Sequence, residues 1–253
     1  MTAVPDELEA TPRADCSACP YRSTLLPASR CQPGDICVRA ESGRQIDRFL
    51  KRNPRLAPAY LDDPFWERRA IAVRYAPETA ILHLIADADE VVRRAVAYRL
   101  PPAHLERLAQ DADREVRITV ADRLPLQRLE IMVNDADYLV RVYVARRLPA
   151  GRLFRMMCDP DAQVRAAVAQ RLPIPSLGLL AHDPDPQVRR IVAERMEPES
   201  LVVMLQDSEW LIRYIAAQRA PLAAVRKLAE DPDQEIRKIV RERLVLSSCK
   251  SKP

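Results

Sequence analysis

The sequence predicts an all-α fold: a superhelical solenoid of about eight 24-residue units, here called repeats, behind a small N-terminal metal-cluster domain. Three observations predict it. The 253-residue chain has 22 prolines but only 4 glycines and 5% aromatic residues, which favours short helices ended by proline over β-sheet. A ten-residue motif recurs from residue 67 to residue 246. Four of the six cysteines lie within the first 37 residues.

The N-terminal cysteines have a spacing typical of a metal site. They stand as C-x2-C-x11-C-x5-C at Cys16, Cys19, Cys31 and Cys37. A C-x2-C pair lets two thiolates reach one metal centre, and two further cysteines complete a four-thiolate site. Spacing alone leaves an iron–sulfur cluster and a zinc ion both open, and the wider second pair favours a cluster.

A helix containing Ile46, Phe49 and Leu50 is expected to follow the cysteines and to cap the open end of the first repeat. The segment before the repeats is small and poor in apolar residues, so metal binding should supply much of its folding free energy. We therefore expect loss of the metal to unfold residues up to about 40, while the repeats from about Leu56 onward persist.

The repeat reads L-x-x-L-A-x-D-x-D-x-x-V-R-x-x-V-A-x-R-L-P, and a fixed period of this length indicates a solenoid. The first arginine of each copy is assigned to Arg68, Arg93, Arg117, Arg141, Arg165, Arg189, Arg213 and Arg237. Successive copies are then 24 residues apart, except for a first gap of 25 that requires one inserted residue near Ala76 and Pro77. An aspartate precedes each of these arginines by six residues and a second arginine follows by six, from Asp62 and Arg74 in the first copy.

One copy shows how the repeat should fold. Asp113 is a candidate N-cap and Pro125 stops the helix, which predicts three turns of α-helix between them. The residues spaced for its apolar face are Val116, Val120, Ala121 and Leu124. The preceding segment, with Leu105 and Leu108, is short enough for one or two turns of α- or 3₁₀-helix.

Arg117 falls inside this apolar stripe at about 100° per residue. A guanidinium there is costly unless it is paired. The aspartates that recur once per repeat are the natural partners, so we predict an Asp–Arg ladder, with Arg117 bonded to Asp111, Asp113 or their counterparts in the next repeat. The alternative is a row of arginines that binds an anionic ligand.

Charge and hydropathy exclude several classes of protein. Residues 56–246 carry equal numbers of basic and acidic side chains, which disfavours a nucleic-acid binder. Neither a membrane-length apolar run nor a secretory signal is present in the sequence, so we expect a cytoplasmic protein without a membrane partner. In that compartment cysteines are metal ligands more often than disulfides.

The 24-residue repeats and the four-cysteine segment together resemble the leucine-rich repeat variant (LRV) family and its iron–sulfur N-terminal domain. The resemblance implies alternating α- and 3₁₀-helices in a right-handed superhelix. It also implies that Cys16, Cys19, Cys31 and Cys37 ligate a [4Fe–4S] cluster. Members of the family are associated with nitrogen-fixing bacteria, which implies a redox or nitrogen-fixation partner.

These observations predict a non-enzymatic [4Fe–4S] repeat protein that serves as a scaffold for an unidentified protein partner. The first alternative is a scaffold with a structural zinc site, and the second is a nucleic-acid-binding helical repeat protein. The expected domains are a cluster domain at 1–50, the repeats at 51–246 and a disordered tail at 247–253. No catalytic residues are expected, because His83, His104 and His182 occupy different positions of the repeat.

Overall fold

The computed structural model describes residues 13–250, with the backbone alone for 247–250, and confirms an all-helical repeat fold. Within these residues the regular structure is helical apart from one antiparallel bridge between Gln32 and Ile36. The α-helices are α1 Gly43–Arg52, α2 Trp66–Tyr75, α3 Glu90–Arg99, α4 Arg114–Arg123, α5 Tyr138–Arg147, α6 Ala162–Ala169, α7 Pro186–Arg195, α8 Trp210–Arg219, α9 Leu222–Val225 and α10 Gln234–Lys250.

Short 3₁₀ segments alternate with the α-helices, as the length of the repeat predicts. They are Pro54–Tyr60, Glu78–Ala86, Pro102–Leu108, Leu129–Met132, Ala150–Met156, Ile174–Leu180, Pro198–Met204 and Arg226–Leu228. The chain divides into two compact halves, Met1–Pro125 and Leu126–Pro253. The N-terminal half holds the cysteines and α1 to α4, and the C-terminal half holds α5 to α10. No helix within residues 13–250 is long and apolar enough to cross a membrane.

The local chemistry of α4 is the predicted one. Asp113 accepts hydrogen bonds from the backbone N–H groups of Glu115 and Val116, which fills two of the donors that a helix leaves unpaired at its start. Leu124 has an extended ψ of 139°, because the proline that follows it disfavours helical backbone. The apolar face is fully buried, and Val116, Val120 and Leu124 are each 0% exposed.

The Asp–Arg ladder is confirmed, and each rung joins neighbouring repeats. Arg165 donates from Nε and Nη2 to the carboxylate of Asp183 in the next repeat, at 2.8 and 2.9 Å. Its Nη1 donates to the backbone carbonyls of Asp159 and Pro160, at 2.8 and 3.2 Å. The same arrangement holds for Arg69–Asp87 and Arg93–Asp111 in the N-terminal half, and for Arg141–Asp159, Arg189–Asp207 and Arg213–Asp231 in the C-terminal half.

The second arginine of the repeat caps the helix of the preceding repeat, a role that the sequence analysis did not assign. Arg219 donates from Nη2 to the carbonyl of Met196 at 2.8 Å and from Nη1 to that of Glu194 at 2.8 Å. Arg195 donates in the same way to the carbonyl of Leu172 at 2.9 Å. The last carbonyls of an α-helix have no partner within it, so these guanidinium groups satisfy acceptors that would otherwise stay unpaired.

The first repeat corrects the alignment of the arginines. α2 begins at Trp66 and α3 at Glu90, 24 residues later, so no residue is inserted between these repeats. The rung is formed by Arg69 and not by Arg68, because Nε of Arg69 lies 2.8 Å from Oδ2 of Asp87. The period of 24 residues therefore holds from the first repeat onward.

The same shift of one residue changes the other two motif positions of the first repeat. Asp63, and not Asp62, is the motif aspartate, and Tyr75 stands in the place assigned to a second arginine at Arg74. Tyr75 donates its hydroxyl to Oδ1 of Asp47 at 2.9 Å, so it tethers α2 to α1. The acidic and arginine doublets of this repeat make both alignments equally good in the sequence.

The predicted capping helix is α1. It buries Ile46, Phe49 and Leu50, which are 0 to 1% exposed, and it packs against α2. At the other end, the helical backbone of α10 continues to Lys250, past the start of the tail predicted to be disordered at 247–253. Leu244 is followed by Val245 and not by the proline that ends the earlier helices, and residues 251–253 lie outside the described part.

Candidate metal centre

The four cysteines lie on two turns that precede α1. The first is a tight turn in which the N–H of Cys19 donates to the carbonyl of Cys16 at 3.3 Å. The second is a small hairpin in which Gln32 and Ile36 exchange two backbone hydrogen bonds, each of 2.8 Å. Gly34 at its tip has a φ of +80°, a conformation that glycine adopts without steric cost.

The two turns bring all four cysteines to the wall of one cavity of about 330 Å³, a volume that includes space open to solvent. Cys37 is buried, and Cys16, Cys19 and Cys31 are partly buried. All four are free thiols. The other side chains on the wall are Tyr21, Arg22, Leu26, Gln32, Pro33, Ile36, Val38, Arg39 and Phe49. The structure therefore places every cysteine of the predicted set at one site.

The thiols are close enough to influence one another electrostatically. Burial raises the pKa of Cys31, and negative charge on Cys19, Cys37 and Cys16 raises it further. Thiolates that share a cavity repel one another, and a bound cation relieves this repulsion because it coordinates the deprotonated form. The site is therefore one whose ionisation is coupled to metal binding.

The donor set fits a thiolate-bound centre. Sulfur is the ligand that iron–sulfur clusters and structural zinc both accept, and neither a histidine nor a carboxylate is among the described residues that line this cavity. Arg22 and Arg39 supply positive charge at its wall. Within the described residues, no group of three or more Cys, His, Asp or Glu side chains is already arranged around a single metal ion.

Aromatic contacts connect this loop to the start of the repeats. The ring of Tyr21 packs against that of Phe49 in α1, with centroids 5.5 Å apart. The hydroxyl of Tyr60, at the end of the first 3₁₀ segment, donates to that of Tyr21 at 2.9 Å. Burial and this hydrogen bond raise the pKa of Tyr60 far above its ordinary value. Two residues of the cavity wall thus contact the first helix and the first repeat directly.

Asn53, which follows α1, forms a second connection. It is 4% exposed and binds Arg30 twice: its Oδ1 accepts from Nε of Arg30 at 3.0 Å, and its Nδ2 donates to the Arg30 carbonyl at 2.9 Å. The N–H of Cys37 also donates to the carbonyl of Gln45 in α1, at 3.3 Å. A buried amide beside the N-terminal end of a 3₁₀ segment gives no sequence motif, so the sequence analysis missed it.

The remaining candidates do not form a second site among the described residues. His83 is half exposed and contacts Asp62 at 3.1 Å. Cys158 and His182, one repeat apart, are both exposed. Cys249 lies where the side chains are outside the described part. The functional residues that the structure brings together are those of the cysteine cavity.

These features define the class of protein: a helical repeat protein with an N-terminal thiolate metal site. Residues 12–59 match the family described as LRV protein FeS4 cluster. Residues 91–113, 138–161 and 162–185 match the leucine rich repeat variant family. A solved structure described as a leucine-rich repeat variant with a novel repetitive structural motif is 59% identical, with a TM-score of 0.88, and the match covers 92% of this chain and all of that one. The chain belongs to the LRV family and carries its iron–sulfur domain.

A curated relative is the uncharacterised 27.7 kDa protein in the nifB 3′ region of Rhodobacter capsulatus. It is 38% identical over 107 residues. The match spans 42% of this chain and 43% of the relative, less than half of its length.

Proposed function

We propose that this chain is a non-enzymatic [4Fe–4S] protein in which Cys16, Cys19, Cys31 and Cys37 are the four ligands. The observation that carries the proposal is the convergence of these free thiols on one cavity. The match of residues 12–59 to an iron–sulfur family supports iron over zinc. When bound, such a cluster exchanges single electrons at a potential that its surroundings set.

The chain's own residues would hold the cluster and shield it. Tyr21, Ile36 and Phe49 line the cavity with apolar surface, which limits the access of water. Arg22 and Arg39 offset the negative charge of four thiolates, because opposite charges nearby favour the ionised form of a ligand. These roles are binding, shielding and charge compensation, and none of them requires a substrate.

The repeats supply the second part of the proposal, a scaffold that docks a protein partner. Their arginines are engaged in rungs and in helix caps, which supports a structural role for them over an anion-binding one. Equal numbers of basic and acidic side chains in residues 56–246 argue against nucleic acid. The genomic setting printed for the R. capsulatus relative supports a partner connected with nitrogen fixation, and a reducing cytoplasm suits the free thiols.

The test is the visible spectrum of protein purified without oxygen. We expect a broad absorption that bleaches when dithionite is added and that is lost in Cys31→Ser. Cys158→Ser is the matched control, since it removes an exposed cysteine of the repeats and should leave the spectrum unchanged. A colourless protein that contains zinc would support the structural zinc alternative.

A further inference from the structure

The C-terminal half exposes an apolar patch on three consecutive 3₁₀ segments. The patch consists of Phe154, Leu179, Val202 and Val203, whose exposed fractions are 60, 69, 40 and 55%. Their segments begin at Ala150, Ile174 and Pro198, exactly one period apart. Contiguous exposed apolar surface on a soluble protein commonly marks an interaction site.

Cations stand at both ends of this patch. The sixth residue of each segment forms a row that runs Arg155, Leu179, Val203, and the equivalent residue of the last repeat is Lys227. The ladder rungs hold these repeats in register, so the row alternates as cation, apolar, apolar, cation along the stack. With about 8–10 Å between packed helices, three steps span about 25–30 Å.

Both end charges are free to act on a partner. The side chain of Arg155 is 54% exposed, and its nearest carboxylate is Glu130 at 3.8 Å. Lys227 is exposed. Beside Leu179, a side chain at Gly178 would meet open space, so the centre of the row is not obstructed. Glu199 is the carboxylate nearest in sequence, three residues before Val202.

We propose that this patch docks an amphipathic α-helix of a partner protein, one with an apolar face at its centre and carboxylates at both ends. A helix that spans about 25–30 Å has about 17–20 residues. Charge complementarity selects acidic ends, because Arg155 and Lys227 bound the apolar centre, and Glu199 disfavours acidic residues opposite Val202. The inference rests on the proposed docking role of the repeats and not on the nature of the metal.

The probe is a synthetic 20-residue helical peptide with leucines on one face and glutamates at both ends, titrated into the full cluster-loaded chain. A second peptide carries lysines in place of the glutamates. We expect the acidic-ended peptide to bind more tightly, and Arg155→Glu with Lys227→Glu to reverse the preference. Leu179→Ser and Val203→Ser should each weaken binding about tenfold, as expected for the loss of one buried aliphatic side chain.

Ile131→Ser is the matched control, because Ile131 holds the same position of the repeat with an exposed fraction of 56% but lies beyond Arg155. It should leave the affinity unchanged. Equal affinity for both peptides, no binding, or an equal effect of Ile131→Ser would overturn the inference. So would sedimentation showing that Leu179→Ser dissolves a dimer, or binding to anionic vesicles in place of the peptide. If the patch fails while a native partner still binds the chain, the proposed function stands and only this surface is wrong.

Discussion

Arg165 and Asp183 face each other across the boundary between two repeats as a two-bonded ion pair, with Nε–Oδ2 at 2.8 Å and Nη2–Oδ1 at 2.9 Å. Their side chains are only 11 and 3% exposed. The guanidinium also binds two backbone carbonyls, and Oδ1 of Asp183 accepts the N–H of Asp185 at 2.9 Å. One rung therefore satisfies polar groups of two repeats and fixes their register.

Asp183→Ala should lower the free energy of unfolding by about 3–5 kcal/mol, because it leaves the buried charge of Arg165 unpaired. Urea denaturation followed by circular dichroism measures this. The control is Glu194→Ala, which breaks the exposed pair with Arg190, with side chains 47 and 41% exposed, and should cost less than about 1 kcal/mol. Equal effects of the two substitutions would contradict a structural role for the rung.

Stability should depend on pH through the same aspartates. Burial raises the pKa of Asp231, but the hydrogen bonds from Arg213 and from the N–H of Asp233 more than offset it, so the pKa lies below its ordinary value. The pKa of Asp111 is lowered in the same way by Arg93. A lowered folded-state pKa gives stability that is present above the unfolded value of about 3.9 and is lost as the pH falls below it.

The urea midpoint should therefore fall steeply as the pH is lowered from about 4 towards 2. Asp231→Asn removes one of the groups responsible, so its stability should be lower at neutral pH and should change less over this window. A wild-type midpoint that stays constant below pH 4 would show that the rungs make no net contribution.

The N-cap of α4 gives a local prediction. Asp113→Ala removes an acceptor for the N–H groups of Glu115 and Val116 and should cost about 1 kcal/mol. Asp122→Ala removes the same charge from an exposed position of the same helix and should cost much less. If both variants have the same urea midpoint, the cap is not stabilising.

Much of this fold could be predicted from the sequence because a period makes each copy confirm the others. The N-caps, the proline stops and the Asp–Arg pairing follow from one repeat and then hold in the rest. The first repeat failed for a local reason, since the doublet of Arg68 and Arg69 fits two alignments and only the bond to Asp87 decides between them.

The candidate site was predicted less completely. The spacing of the cysteines indicated four ligands, and the structure brings them to one cavity. Residues that join this cavity to the repeats, such as Asn53 and Tyr60, carry no periodic signal because their partners lie more than twenty residues away. The exposed row around Leu179 also had no signal, since a variable position looks random until the register of the repeats is known.

These connections change the expected effect of cluster loss. The sequence predicts unfolding up to about residue 40, but Tyr21 contacts Phe49 and Tyr60, and Arg30 binds Asn53. We therefore expect α1 and the first 3₁₀ segment to loosen together with the cysteine loop when the cluster is removed.

Hydrogen exchange of the cluster-loaded and cluster-free chain measures this effect. Amide protection should fall over residues 13–61 and stay unchanged in the helices of the C-terminal half, which serve as the internal control. Protection of α1 that survives cluster removal would show that the loop is only appended to the repeats.

The most direct test of the account is the content of iron and acid-labile sulfide in the full chain purified without oxygen. The account predicts four irons and four sulfides per chain, as a [4Fe–4S] cluster requires, and loss of both in Cys16→Ser, Cys19→Ser, Cys31→Ser and Cys37→Ser. One zinc ion per chain with no sulfide, or a full iron content in any of these four variants, would contradict it.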